Sequence, residues 1–599
     1  MLIGSVCADS LNVWNFGLHM SRTDANINAR RTSVRRIPVA ILCMLTLLLV
    51  PDAASSKSNP PSGMATVDAN RCTAAFLSAP RVTIATAMSI TPKEGTPRCV
   101  ISGEVRTEDD GAPVGLAHFQ LNLPMPWNGK LLFNGGGGFN GFIPMPDPNT
   151  LAQGYASLST DSGHVGGPNT ASIVAKAMNS DWMTRPGRGR NEAAVADYLY
   201  RAIHQVRQTV SPLIAKFYGS SISRSYFWGC SNGGREAMFN AMKNPEDFDG
   251  FIAGDPSIVP ALGIQEIWKL KVLRDVDIPP AVLRRVDAAV MKACDSVDGV
   301  RDGLIQNPAA CSFDLATLEK QRILSPRQAK ALTLYTSAIR DETGAFIEPG
   351  GTISAMSGSG PQEYANGLAG YMVDPRAPGN SATDAAFKNL IQYRTAVGLV
   401  SGIGFGDLSL DIFGPKIFNP DGGIRRKAVT QVEKAWAPGI GDPNKMREFF
   451  RLNRKLIIYH GLADHDTTPY ESQLYYETLA RANGGLTKTE KNARLFLAPG
   501  MEHCRGGPGP NSFDPLQALD TWVEHDTPPA KIVAKKFVDD DPQLPLQRSM
   551  PLCPYPAIAH YDGHGNVNDA AAWNCVATDT TLTRYDLVGK RAGLGDTWR

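Results

Sequence analysis

The chain lacks any excess of charge: 60 lysines and arginines stand against 58 aspartates and glutamates in 599 residues. So even a balance gives no basic stripe for nucleic acid and no acidic tail, and a diffuse electrostatic partner is not suggested. Long apolar runs are also scarce. Ile37–Val50 has 14 residues, short of the ~20 that span a bilayer, and multi-span membrane classes are excluded. This run follows Arg30, Arg31, Arg35 and Arg36 and precedes PDAASS, with small residues from Ala53 to Ser56 for cleavage, which is the pattern of a secretory leader. Residues 1–56 therefore read as leader and upstream segment, with a retained anchor as the alternative reading and Met20 as an alternative start. Internal repeats are absent, and low complexity is confined to SSKSNPPSG. With 43% hydrophobic and 20% charged residues, the rest is ordinary globular sequence.

Cysteine is sparse but even in number. Removing the leader deletes Cys7 and Cys43 and leaves eight, the composition of an exported, secreted or periplasmic, disulfide-bonded protein. Three couples are close in sequence: Cys72 with Cys99, Cys294 with Cys311, and Cys553 with Cys575. Cys230 and Cys504 are left over.

The segment RSYFWGCSNGGREAM combines an aromatic strand, a tight turn and a helix, and it places Ser231 in Gly229-x-Ser-x-Gly233. Small residues two positions either side allow a sharp strand-to-helix turn that exposes a hydroxyl, the nucleophile elbow. A serine needs a base, and the base needs a carboxylate to hold its tautomer. Among ten histidines, His503 follows the apolar strand RLFLA in the loop PGMEHC. His460, at the end of the strand Leu456–Tyr459, is the runner-up and reads more simply as a buried strand-end histidine. Asp464 in GLADHD is the orienting acid, with Asp466 as substitute, and both could instead cap the helix beginning near Tyr470. The order Ser231, Asp464, His503, each just beyond a strand, is that of an α/β hydrolase. Cys230 and Cys504 adjoin the nucleophile and the base, so a bond between them would tie the two together. After the strand Lys130–Phe133, the run Asn134 to Gly138 resembles an oxyanion loop, in which glycines let backbone N–H groups approach a developing negative charge; the second donor would be the N–H of Asn232.

Residues 294–304, CDSVDGVRDGL, crowd Asp295, Asp298 and Asp302 together. A hard cation with oxygen ligands, such as calcium, would relieve their repulsion, and the carbonyls of Val300 and Leu304 could join them. A solvated acidic turn is the alternative. Strand and helix patterns alternate from about residue 99 to 254 and resume at Leu456, as a doubly wound, mostly parallel α/β sheet requires. The expected architecture is an α/β-hydrolase domain in two parts, 57–254 and 451–599, interrupted by a lid domain at 255–450 that carries the acidic loop. Trp268, Tyr393, Phe405 and Phe413 are expected in the core of the lid.

These features together resemble the tannase and feruloyl esterase family: Cys230-Ser231, Asp464 and His503-Cys504 match its CS-D-HC arrangement, supported by GGGGFNG, TDSGH, CDSVDGVRDGL, YHGLAD, PGMEHCRGGPG and PLCPYP. The resemblance implies an α/β-hydrolase fold with a large lid, the Cys230 to Cys504 bond, Gly135 and Asn232 as oxyanion donors, and a structural Ca2+ on Asp295, Asp298, Val300, Asp302 and Leu304. It implies a secreted serine esterase acting on small aromatic esters of feruloyl or galloyl type through an acyl-enzyme, with no nucleic-acid partner and no membrane association after leader removal. Terephthalate monoesters are the alternative substrate and would need a lid arginine, for which Arg394 is the candidate. A catalytically inactive binding scaffold, or a peptidase or lipase, are the competing classes.

Overall fold

A computed structural model describes residues 69–578 apart from 110, 169, 259–261, 297, 360–366 and 369–389. The leader expected at 1–56 lies outside the described residues. Nine strands form one sheet: β1 (Val82–Ile90), β2 (Arg98–Asp109), β3 (Ala112–Pro124), β4 (Lys130–Asn134), β5 (Ala156–Thr160), β6 (Arg224–Cys230), β7 (Gly250–Gly254), β8 (Lys455–Gly461) and β9 (Ala493–Ala498). Their spatial order is β1-β2-β3-β5-β4-β6-β7-β8-β9. From β5 to β9 every neighbour is parallel. Every residue of β5, β7 and β8 is buried, as parallel strands covered on both faces require.

The first three strands depart from the expected alternation, because they form an antiparallel meander with no helix between them. The cause is local. Asp109 accepts hydrogen bonds from the N–H groups of Gly111 and Ala112, a side-chain turn that folds β2 directly onto β3. The sequence EDDGAP carried that hairpin signal.

Helices cover the sheet. The longest are α1 (Ala202–Tyr218), α2 (Asn232–Lys243), which leaves the end of β6, α3 (Leu262–Leu273), α4 (Pro280–Cys294), α5 (Pro326–Thr336), α6 (Arg426–Trp436), α7 (Pro469–Ala482) and α8 (Pro515–His525). The chain leaves the sheet after β7 and returns at β8, which pairs directly with β7, so some 200 residues are inserted between two adjacent strands. Helices α3 to α6 lie in this insertion. Its apolar core runs without a break into Phe139, Met183, Tyr198 and Leu199 of the hydrolase part, and Trp268, Tyr393, Phe405 and Phe413 pack against it. After α8, two antiparallel hairpins follow, Ile532–Phe537 with Leu546–Leu552 and Ile558–Tyr561 with Trp573–Val576. No described helix is long and apolar enough to cross a membrane.

Candidate active site

Ser231 sits between β6 and α2 with φ 60° and ψ −123°, a left-handed conformation that costs a non-glycine residue about 1–3 kcal/mol. The flanking glycines are required by contact. A Cβ on Gly229 would fall 2.5 Å from the backbone of Gly233, and one on Gly233 would fall 2.5 Å from the carbonyl oxygen of Gly136. The elbow therefore presses against the glycine loop, and the Ser231 N–H is anchored on the Gly254 carbonyl at 2.9 Å.

His503 and Asp464 form the second half of the site, beyond the ends of β9 and β8. Nδ1 of His503 lies 2.7 Å from Oδ2 of Asp464, so Nδ1 carries the proton and Nε2 is left for the substrate side. Asp464 is wholly buried and saturated. Oδ1 accepts the N–H groups of Asp466 and Thr467 at 2.8 and 3.0 Å, and Oδ2 accepts the Thr467 hydroxyl at 2.9 Å. Burial alone would raise its pKa, but His503 and His460 beside it hold the carboxyl well below the ordinary range. Burial opposes a charge on His503, but Asp464, with Asp466 and Asp255, pushes the imidazole upward. Asp466 lies 3.5 Å from Nε2 of His503, so both candidate aspartates contact the base, and Asp464 is the one that holds Nδ1.

All four disulfides close as the sequence pairs them: Cys72–Cys99, Cys230–Cys504, Cys294–Cys311 and Cys553–Cys575. In Cys230–Cys504 the Cα atoms are 6.0 Å apart, one residue from Ser231 on one side and one residue from His503 on the other.

The oxyanion assignment needs a correction. The Gly135 N–H donates to the Trp228 carbonyl at 2.8 Å, continuing the pairing of β4 with β6, and the Gly136 N–H donates to Oε2 of Glu236 at 3.2 Å. Gly135 is thus occupied in the sheet. Among the described residues the N–H of Asn232, on the first turn of α2, has no acceptor, and further along the loop Gly138 lines the same cavity as Ser231 and Asn232. Gly138 has φ +55°, and a Cβ there would lie 2.4 Å from Met178.

Glu236 was not singled out in the sequence. It is buried, accepts from Asn140 Nδ2 at 2.6 Å and from Gly136, and so fastens the glycine loop to the nucleophile helix. TDSGH braces the loop from the other side, with Ser162 against Asn140 and Nε2 of His164 against the Phe139 carbonyl, both at 2.6 Å. Asp255, just past β7, was also missed.

A narrow cavity opens at Ser231. Its walls are largely apolar, from Phe139, Met178 and Tyr198 on the hydrolase side and Ile391, Leu399, Trp436 and Ile440 from the insertion. Among the described residues its one cationic lining residue is Arg235, and that guanidinium donates to Asn232 Oδ1 and to the carbonyls of Tyr198, Leu199 and Gly439. Glu266 and Asp466 also line it. Arg394 lies on the helix Ile391–Ala396, whose Ile391 and Thr395 face the cavity while Arg394 does not line it.

In the acidic loop, Oδ1 of Asp295 accepts the N–H groups of Asp302 and Gly303, and Asp302 is joined to Arg548 at 3.0 Å. Oδ2 of Asp298 is buried with no partner. Burial, with Asp302 and Asp295 nearby, pushes Asp298 up to about 7. The three carboxylates are not gathered within 4.8 Å of one another. An all-oxygen donor set with an orphaned buried carboxylate oxygen suits a hard cation.

Comparison with known proteins places the chain in a family. The sequence matches the family described as tannase and feruloyl esterase over residues 99–576. The chain belongs to the tannase and feruloyl esterase family. It is accordingly a carboxylic ester hydrolase. Mono(2-hydroxyethyl) terephthalate hydrolase of Piscinibacter sakaiensis is 29% identical over 530 residues, covering 80% of this chain and 85% of that protein. A probable feruloyl esterase of Arthroderma benhamiae is 27% identical, covering 76% and 81%. Feruloyl esterase B from Aspergillus oryzae superposes with a TM-score of 0.68 at 20% identity, over 85% of this chain and 100% of that one. Tannin acyl hydrolase from Aspergillus niger gives 0.60 at 18%, over 90% and 94%. Both structures share the family's α/β-hydrolase fold.

Proposed function

We propose that the protein is an exported serine esterase that cleaves neutral, hydroxylated aromatic esters of feruloyl or galloyl type. The observation that carries this reading is the joining of Ser231 to the Asp464–His503 pair through Cys230–Cys504 at the mouth of an apolar cavity. His503, its Nδ1 proton held by Asp464, takes the Ser231 proton as the hydroxyl attacks the ester carbonyl. The tetrahedral oxyanion is received by the Asn232 N–H and by the glycine loop at Gly138. His503 then protonates the leaving alcohol, and water repeats the sequence on the acyl-enzyme.

Substrate choice follows from the cavity wall. A terephthalate monoester carries a free carboxylate, but Arg235 is committed to four acceptors, the charge of Glu266 is met by Lys269 at 2.8 Å, and Asp466 adds negative charge to the lining. Burying an unpaired carboxylate there is costly, whereas a phenol finds acceptors. Calcium on the loop at 295–304 would be structural, held by Asp295, Asp298 and Asp302 with the carbonyls of Val300 and Leu304, and would neutralise their repulsion. Four disulfides suit an oxidising compartment.

Initial rates on methyl ferulate, methyl gallate, mono(2-hydroxyethyl) terephthalate and p-nitrophenyl butyrate test the reading, with Ser231→Ala in parallel. Methyl ferulate or gallate is expected to lead, with turnover lost in the variant. A lead by the terephthalate ester would overturn the substrate class, and turnover surviving in Ser231→Ala would overturn the mechanism.

A further inference from the structure

His460 is a buried histidine that the mechanism above does not use, and its surroundings are unusual. Nε2 faces Oδ2 of Asp464 at 3.2 Å, the Thr467 carbonyl at 3.1 Å and Oδ1 of Asp255 at 3.8 Å, and the Thr467 hydroxyl, 3.5 Å away, gives its own proton to Asp464. Nε2 must therefore carry a proton. Nδ1 lies 2.7 Å from the Ser472 hydroxyl, which can donate to it or accept from it, so the neutral ring and the imidazolium are both fully hydrogen-bonded. Asp255 is also wholly buried, its Oδ1 takes the Gly461 N–H at 2.8 Å, and its Oδ2 is 3.6 Å from the Cys230 sulfur. The histidine stands between two carboxylates, and one of them, Asp464, is shared with His503 through the same oxygen.

We propose that His460 is a positioning residue of the catalytic network: held by Ser472 and the Thr467 carbonyl, and sharing Oδ2 of Asp464 with His503, it limits how strongly Asp464 retains the proton on His503, and so sets the pH at which His503 becomes a competent base. The role rests on the triad reading above. Every charged or titratable group recorded around His460 enters: Asp255 beyond β7, Asp464 beyond β8, Glu471 on the first turn of α7, and His503 beyond β9 across Asp464. Burial disfavours a charge on His460, yet Asp255 and Asp464 outweigh it and its pKa is raised. A cation on His460 is worth less Asp464 charge to His503. Through a buried separation of a few ångströms the effect on His503 is on the order of one pH unit.

The test is the pH profile of kcat/KM for His460→Gln, whose amide keeps an N–H but cannot be charged. The acid limb is expected to move to higher pH by about one unit, whatever the height of the alkaline plateau. A loss by the same factor at every pH, with the limb unmoved, would mark His460 as merely structural, and a limb moved to lower pH would reverse the argument. A second measurement needs no variant to fold. In wild-type protein labelled with 15N-histidine, both ring nitrogens of His460 are expected to stay protonated to higher pH than in an ordinary histidine, with an Nε2–H resonance far downfield. A ring that loses its second proton at or below the ordinary histidine range overturns the proposal. Ser231→Ala run alongside separates the two ideas: if it is inert while the His460→Gln limb stays put, only the role of His460 falls, and if it remains active, the triad reading falls first.

Discussion

Two groups of buried carboxylates in this molecule are handled in opposite ways. Asp464 receives donors on both oxygens from two backbone N–H groups, a threonine hydroxyl and two histidines, and it stays charged below the ordinary carboxylate range. Asp298 in the insertion has an oxygen with no partner and is pushed up to about 7. Both are set in a turn, and both lie within a few residues of other aspartates. The difference is the supply of protein donors: where the chain provides them the carboxylate is complete, and where it does not, the group needs a proton or an ion from outside.

Removing the charge from the saturated carboxylate should have the largest effect. Asp464→Asn is expected to lower kcat by about 10⁴, because an amide cannot hold the Nδ1–H tautomer of His503, while KM changes little. A loss under tenfold would mean that Asp466, 3.5 Å from the ring, takes over. Next comes the link between the halves of the site. Cys230→Ser with Cys504→Ser should cost about 2–5 kcal/mol of stability and reduce kcat, both read at once from thermal melts and initial rates; an unchanged melting temperature with unchanged rates would make the bond dispensable. In the insertion, chelation should lower the melting temperature of the wild type by several degrees and leave Asp298→Asn nearly unmoved, with elemental analysis giving about one calcium per wild-type chain. Absence of bound metal in both would leave only an acidic turn. The smallest effect concerns pH. Since the folded pKa of Asp464 is depressed, its contribution to stability is complete above about 3.8 and is lost as pH falls through the lower folded value. Acid melts of Asp464→Asn should lack that part of the decline.

The same contrast explains what could be read in the sequence. Ser231, Asp464 and His503 each follow an apolar strand at a point where the parallel sheet presents its ends, so periodicity and order located them. The cysteines paired by proximity, and the two left over adjoined the nucleophile and the base. Gly135 was misassigned because a glycine run does not tell which N–H the sheet has already taken, and the bond to Trp228 depends on the register of β4 with β6. Glu236 and Asp255 were hidden for a related reason: each acts on a partner about 100 or more residues away, and the approach of His460 to Asp255 is made only across β7 and β8. The cavity wall from Ile391 to Ile440 carries no period that marks it as substrate-facing, since Leu399, Trp436 and Ile440 serve also in the apolar core of the insertion.

The Cys230–Cys504 bond also bears on how the chain is made. Its partners are 274 residues apart, whereas the other three bonds close over 27, 17 and 22. As the polypeptide emerges from N to C terminus, Cys72 and Cys99 can join at once, but Cys230 then waits while Cys294 and Cys311 appear ahead of its partner. An oxidant that joined cysteines strictly in order of appearance would close Cys230 on Cys294 and Cys311 on Cys504, cross-linking the elbow to the acidic loop. Production of active enzyme should therefore depend on a disulfide isomerase, or on Cys230 being shielded until the last strand of the sheet is in place.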